Sequence, residues 1–173
     1  MSSLAPAQSH WPSASKSGPR PVYTTAERAR RDATVWTAVQ AVLAPLQFLV
    51  FLVSLVLVLT ALFADIEHTA AAISVVLKTA ILLTIMLTGS IWEKVVFGKF
   101  LFAPSFFWED VVSMAVIALH LAYVAALLAG WGTASDQLWI ALAAYVAYAI
   151  NAAQFLFKMV RAKREAPVQE GAL

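Results

Sequence analysis

The stretch Phe48-Leu49-Val50-Phe51-Leu52-Val53-Ser54-Leu55-Val56-Leu57-Val58-Leu59 carries one hydroxyl and no charge, inside an apolar run from about Thr37 to Phe63. A bilayer's hydrocarbon core takes about 20 such residues of helix to cross. Three further runs of similar length follow, at about 70–91, 111–130 and 138–157. The expected fold is therefore all-α, an integral membrane bundle of four transmembrane helices. Short joints at 64–69 and 131–137 make helices one and two, and three and four, antiparallel hairpins.

Composition agrees with lipid as the solvent. Of 173 residues, 61% are hydrophobic and 13% charged, and the mean hydropathy is +0.78. A soluble domain carries about 25% charged residues. The absence of cysteine rules out disulfides, thiol catalysis and Cys-ligated metal sites. Residues 1–22 hold four of the seven prolines with many Ser and Ala, which predicts a disordered tail. The membrane domain then occupies 23–164, opening on a short charged helix near Thr24–Asp32, and 165–173 form a C-terminal tail. No signal peptide is expected, because the first thirty or so residues are polar and the first apolar run is too long for an h-region.

Charge sets the orientation. Lys16, Arg20, Arg28, Arg30 and Arg31 precede the first run, Lys94 and Lys99 lie in the middle joint, and Lys158, Arg161, Lys163 and Arg164 follow the last. The two short joints carry only Asp65, Glu67 and Asp136. Eleven of twelve cationic residues thus fall on one side, which the positive-inside rule makes cytoplasmic, so both termini are expected inside. Trp36, Trp92 and Trp108 mark the inner boundary, and Trp131 and Trp139 the outer.

Polar groups at bilayer depth are costly and are candidates for function. The plainer use is interhelical hydrogen bonding. At 100° per residue, Glu109, Ser113, Val116, His120 and Tyr123 share one face of the third helix. Glu109 and Asp110 also suit first-turn acids that complement the helix dipole, and His120 suits a hydrogen-bonded packing residue. Gln40 and Gln47 share a face of helix one, with Pro45 between them; Tyr148, Asn151 and Gln154 line helix four. Lys78 is the one cation out of place, and its long stem favours snorkelling to the outer interface. The middle joint, 92–110, has seven aromatic residues among nineteen, flanked by Glu93 at one end and Glu109 and Asp110 at the other. Interfacial anchoring accounts for some of these rings; a flat apolar ligand stacking on them accounts for more. No phosphate-binding glycine loop, metal-spaced His pair or G-x-S-x-G is present, and nothing suggests a nucleic-acid partner.

Four strings are distinctive: Leu43-Ala44-Pro45-Leu46-Gln47-Phe48-Leu49-Val50-Phe51, Ile91-Trp92-Glu93-Lys94-Val95-Val96-Phe97-Gly98, Phe102-Ala103-Pro104-Ser105-Phe106-Phe107-Trp108-Glu109-Asp110, and Tyr148-Ala149-Ile150-Asn151-Ala152-Ala153-Gln154-Phe155-Leu156. With them the chain resembles the vinyl bacteriochlorophyllide hydratase family, from about Val22 to Arg164. The resemblance implies an enzyme of bacteriochlorophyll synthesis in the inner or intracytoplasmic photosynthetic membrane of a bacterium. Such an enzyme adds water to the C3-vinyl group of a chlorophyllide or bacteriochlorophyllide. The implied partners are that pigment, the bilayer and other enzymes of the same synthesis; no cofactor is implied, since the magnesium belongs to the substrate.

Hydration with this regiochemistry protonates the terminal vinyl carbon, leaves a cation delocalised into the macrocycle, and lets water attack it. Burial disfavours a charged carboxyl, which suits a general acid. Glu109 and Glu93 are the first acid–base candidates and Asp110 the third. His120 is the candidate axial ligand for the substrate's magnesium, with Asn151, Gln154 and Gln47 orienting water or ring carbonyls and Trp108 and Phe107 stacking on the ring. Glu109 and His120 stand about 16 Å apart along an ideal helix, so one pigment serves both only by lying along the axis. Two rival readings remain: a pigment-binding or assembly protein without catalysis, and a small transporter, disfavoured because the acids lie at the interface.

Overall fold

The computed structural model describes residues 21–64 and 68–170, with backbone alone at 166–170. Most of the expected N-terminal tail, 1–20, lies outside the described residues, as do Asp65 and Glu67 of the first joint. Five helices follow in order: α1 (Thr25–Ala33), α2 (Val35–Phe63), α3 (His68–Phe97), α4 (Phe107–Leu128) and α5 (Ala134–Glu170). The last four are long and apolar enough to cross a membrane.

Each helix starts and stops for a local reason. Thr24 caps α1 through a reciprocal box: its hydroxyl accepts from the Glu27 N–H at 3.3 Å, and the Glu27 carboxylate accepts from the Thr24 N–H at 2.8 Å. The apolar run of α3 ends near Ile91, yet the helix continues to Phe97 because no breaker comes before Gly98. Gly98 takes φ +82° and donates its N–H to the Lys94 carbonyl at 3.0 Å, closing the helix as a left-handed cap. The aromatic middle joint therefore shrinks to a tight loop at 98–106, with Glu93 on the last turns of α3 and Glu109 and Asp110 on the first turn of α4. In the same way α5 runs past the membrane-length segment through Lys158–Glu165, since charged residues with good helix propensity do not stop a helix.

Helices α2 with α3, and α4 with α5, pack as two antiparallel hairpins; between hairpins α2 meets α5, and α3 meets both α4 and α5. Hydrogen bonds pin the first hairpin: Gln40 Nε2 to Thr88 Oγ1 at 2.8 Å, Trp92 Nε1 to Thr37 Oγ1 at 2.9 Å, and Ser54 Oγ with Ser74 Oγ at 2.6 Å. The apolar centre joins Phe51, Val58, Val75, Leu82, Val116, Leu138 and Tyr145 from all four helices. A second cluster closes the end where α1 and the 98–106 loop meet: Val22, Tyr23, Val96, Phe106 and Ala162, with Trp92 and Phe97 against it. Arg30 Nε donates to the Val96 carbonyl at 2.8 Å, and the Val22 N–H to the Glu165 carboxylate at 2.8 Å, so α1 is strapped to α3 and α5. Burial pushes the Tyr23 hydroxyl up to about 12 against the opposing pull of Arg31, so it stays protonated beneath that guanidinium.

One expectation is corrected. Lys78 does not snorkel outward; it is fully buried in the bundle, its ammonium 3.7 Å from the Tyr148 ring centre. Lys78 lies well inside α3, and the helices around it enclose the whole side chain.

A β-branched L residue at φ +82° costs about 1–2 kcal/mol. Gly98→Val should lower detergent-solubilised stability by about that much in a denaturant titration, whereas Gly89→Ala, whose added methyl group meets only ordinary contacts near Gln40, should change little.

Candidate functional site

Three carboxyl groups converge where α3 ends and α4 begins. The five residues expected on one face of α4, Glu109, Ser113, Val116, His120 and Tyr123, are all buried in the bundle, and Asp110 with them. Glu93 comes from α3, one turn before the Gly98 cap. The 98–106 loop then turns its backbone N–H groups onto two of these acids. Phe102 sits at φ +58°, a left-handed conformation that is strained for a non-glycine residue, and there its N–H donates to Asp110 Oδ2 at 2.7 Å. The next N–H, of Ala103, donates to Glu93 Oε2 at 3.3 Å. The Glu93 and Asp110 carboxyls also lie close to each other.

Glu109 has a different setting. Its Oε1 is 2.7 Å from the Lys158 ammonium, and Lys158 also donates to the Ser105 carbonyl. Its Oε2 is buried with no hydrogen-bond partner among the described residues. The backbone beneath is fixed from two helices: Asn151 Nδ2 of α5 donates to the Glu109 carbonyl at 3.0 Å, and Ser113 Oγ, one turn along α4, donates to that carbonyl at 2.8 Å. One carboxylate is thus ion-paired with a bare oxygen, beside two neighbouring carboxyls that each accept from a backbone N–H.

A second polar cluster lies deeper. His120 is fully buried; its Nδ1 donates to the Val116 carbonyl at 2.8 Å, leaving Nε2 with no partner among the described residues. That tautomer is the one a metal-binding imidazole adopts. The His120 ring lies 5.8 Å from that of Tyr145, whose hydroxyl is hydrogen-bonded to Ser54, and Lys78 is near enough to act electrostatically on the imidazole. Gln47 Oε1 and Gln154 Oε1 are also buried and without partners.

The aromatic joint divides in two. Trp92, Phe97 and Phe106 turn inward against Tyr23, edge-on, stacked and tilted respectively, and close the end of the bundle. Phe102, Phe107 and Trp108 turn outward: Trp108 is 69% exposed, and Phe107 packs edge-on against it with centroids 5.4 Å apart. Phe107 and Trp108 therefore face outward from the bundle beside the acids. A cavity of about 160 Å³ opens between Pro21, Pro104, Ser105 and Lys158; a larger one, about 290 Å³, lies at the far end between His68, Tyr123 and Gln137.

In the sequence Lys158 figured only among the cations that set the orientation. Hairpin register was the available signal, since folding α5 back from the 131–137 joint sets it beside the start of α4. The two loop N–H donors had no signal, because they arise from the loop's backbone conformation.

These features define a class: a four-span membrane protein with an internal acid–base cluster at one end and a bare imidazole at its middle. The particular family follows from comparison. The family model of 2-vinyl bacteriochlorophyllide hydratase matches residues 23–161. Proteins of that name from Rhodobacter capsulatus and Cereibacter sphaeroides are 59% identical over 149 residues (86% of each chain) and 57% identical over 144 residues (83% of this chain, 89% of the relative). The chain belongs to this hydratase family and is an enzyme of it. No solved structure matches.

Stranding a buried charge costs about 1–3 kcal/mol or more. Lys158→Met alone should lose that much stability, and the double change Lys158→Met with Glu109→Gln should recover part of it; a double-mutant cycle in detergent measures the coupling.

Proposed function

We propose that this protein adds water across the C3-vinyl group of chlorophyllide a or 3-vinyl bacteriochlorophyllide a, giving the hydroxyethyl side chain of bacteriochlorophyll synthesis. Family membership over 23–161 carries the reaction class. The differing settings of three neighbouring carboxyls support the division of labour that follows.

The Glu93–Asp110 pair is the general acid. One member, held protonated, gives its proton to the terminal vinyl carbon, and the π electrons form the new C–H bond. The positive charge left on the adjacent carbon is delocalised into the macrocycle. Water attacks that carbon, and Glu109 takes water's proton on Oε2, the oxygen that Lys158 leaves bare. The proton then returns from Glu109 to the neighbouring pair, so the enzyme is regenerated and nothing is oxidised or reduced overall; the reaction needs no redox cofactor. His120 Nε2 ligates the substrate's magnesium, while Asn151 holds the Glu109 backbone, and Gln47 and Gln154 offer their bare oxygens to water or ring substituents. The exposed ring edge of Phe107 and Trp108 guides the pigment from the lipid. Both termini face the cytoplasm in this reading, which puts the acids at the inner leaflet of the bacterial photosynthetic membrane, within reach of enzymes that consume the product.

Membranes containing the protein, given chlorophyllide and no redox cofactor, should shift the pigment's red absorption band to the blue. In deuterated water the new methyl group should carry one deuterium. Glu93→Gln and Asp110→Asn should lower kcat by about 10²–10⁴-fold with pigment still bound; His120→Ala should lose binding instead. Pigment that co-purifies unchanged would favour a carrier, and full activity in Glu93→Gln would refute the acid assignment.

A further inference from the structure

Hydration consumes one water per turnover, yet Glu93, Glu109 and Asp110 are all buried, and Trp92, Phe97 and Phe106 close the end of the bundle beside them. The cavity of about 160 Å³ offers a way in. Its walls are Pro21 and Val22 ahead of α1, Pro104 and Ser105 of the 98–106 loop, and Lys158 and Arg161 of α5. Lys158 is also the ion-pair partner of Glu109, 2.7 Å from Oε1, so one side chain separates the cavity from the carboxyl whose Oε2 is bare. The same ammonium donates to the Ser105 carbonyl, which ties the loop wall to the α5 wall. The third wall is fixed too, since the Val22 N–H at 2.8 Å and Arg161 Nε at 2.7 Å both donate to the Glu165 carboxylate.

Size and polarity both select water. One water needs about 10–15 Å³ of cavity and two to four polar partners. A cavity of about 160 Å³ walled by a hydroxyl, an ammonium and a guanidinium takes several. It is too small for a tetrapyrrole, since small-molecule sites run to about 300–1,000 Å³. The larger cavity does not serve, because it lies beside His68, Tyr123 and Gln137 at the opposite end of the bundle from the three acids.

We propose that this cavity is the port through which substrate water reaches Glu109, with Lys158 as its inner wall and Arg161 at its mouth. The inference rests on the hydratase reading and adds the route its second substrate takes. Water comes from the face that carries α1 and the end of α5, and the pigment comes from lipid past Phe107 and Trp108, so the two meet at the acids by separate paths. The two cations suit that division. A cationic rim repels hydronium and metal ions but passes neutral water. Water therefore enters without bringing a proton to Glu109, which must be ionised to accept one. No net proton crosses the port: the incoming water gives its oxygen and one hydrogen to the product, and its other hydrogen goes to Glu109 and on to the acid pair. Lys158 is a positioning residue in this scheme, holding Oε1 and leaving Oε2 for the water.

The chain has no cysteine, so a single introduced thiol reports on one position. Ser105→Cys keeps the backbone carbonyl that holds Lys158 and places a thiol in the cavity wall. On the full-length protein in membranes, a bulky uncharged methanethiosulfonate should label it and lower kcat at least about tenfold against the same variant unlabelled, with the chlorophyllide Kd from absorption titration unchanged. The small methyl label should cost less, and reduction should restore turnover. Lys163→Cys, exposed on α5 outside the cavity, should take the bulky label with no loss. A second measurement needs no catalysis. In Glu109→Cys the Lys158 ammonium favours the reactive thiolate, and adding Ser105→Trp to plug the cavity should slow its methyl labelling at least about tenfold. Full turnover of bulky-labelled Ser105→Cys, failure of Ser105→Cys to label, loss of pigment binding on labelling, or equal labelling of Glu109→Cys with and without the plug each overturns the proposal. Where Glu109→Cys does not fold, the Ser105→Cys turnover decides. A wild type that binds pigment and hydrates none overturns the hydratase reading instead, and the paired labelling rates still decide the water route.

Discussion

Hydrocarbon gives a polar group no hydrogen bond, so whatever polarity this bundle holds must be answered from inside it. Most of it is. Gln40 meets Thr88, Ser54 meets Ser74 and Tyr145, Thr37 meets Trp92, and Asn151 and Ser113 share the Glu109 carbonyl. The remainder forms a short set on bundle-facing positions: Gln47, Lys78, Glu109, His120, Tyr123 and Gln154 each keep one buried atom without a partner among the described residues. In water such atoms cost little. Here each weighs against stability.

The inner cluster depends on a loop held in a strained shape. Gly98 ends α3 at a left-handed turn, and Phe102 adopts another with a side chain attached, which delivers two consecutive N–H groups onto Asp110 and Glu93. The strap of α1 across Val96 and the inward packing of Trp92, Phe97 and Phe106 hold that loop down. Aromatic content at the joint therefore has a structural task as well as the ligand-facing one suggested by Phe107 and Trp108. Glu93, Glu109 and Asp110 would behave alike in isolation. Partner choice separates them: Lys158 takes one oxygen of Glu109, and backbone donors take the other two acids.

The four spans, the two hairpins and the buried face of α4 were legible because each is periodic or a matter of length. Glu109, Ser113, Val116, His120 and Tyr123 follow from 100° per residue alone. Helix ends were less legible: hydropathy stops α3 at the edge of hydrocarbon near Ile91, whereas hydrogen bonding continues to Phe97, so the acids sit on helix turns rather than in a long joint. Lys78 was misread because snorkelling describes a single helix in lipid, while its real neighbours, Tyr145 and Tyr148, come from α5, far along the chain. Which carboxyl pairs with which partner was beyond sequence for the same reason: it depends on the crossing of α3, α4 and α5 and on one loop's dihedral angles.

The two clusters also differ in how they use the hairpins. The bonds that pin each hairpin internally are complete: Gln40–Thr88 and Ser54–Ser74 in the first, Asn151–Glu109 and Lys158–Glu109 in the second. Across the hairpins Ser54 of α2 is hydrogen-bonded to Tyr145 of α5, while other facing groups are less settled. Lys78 of α3 lies over Tyr148 of α5, and Glu93 of α3 meets Asp110 of α4. Cavities of about 290 and 160 Å³ are small beside the roughly 300–1,000 Å³ of a typical small-molecule site, and both lie toward the ends. Three side-chain hydrogen bonds hold α2 to α3, whereas the Ser54–Tyr145 bond joins α2 to α5, so the seam between the hairpins is the less tightly bonded of the two.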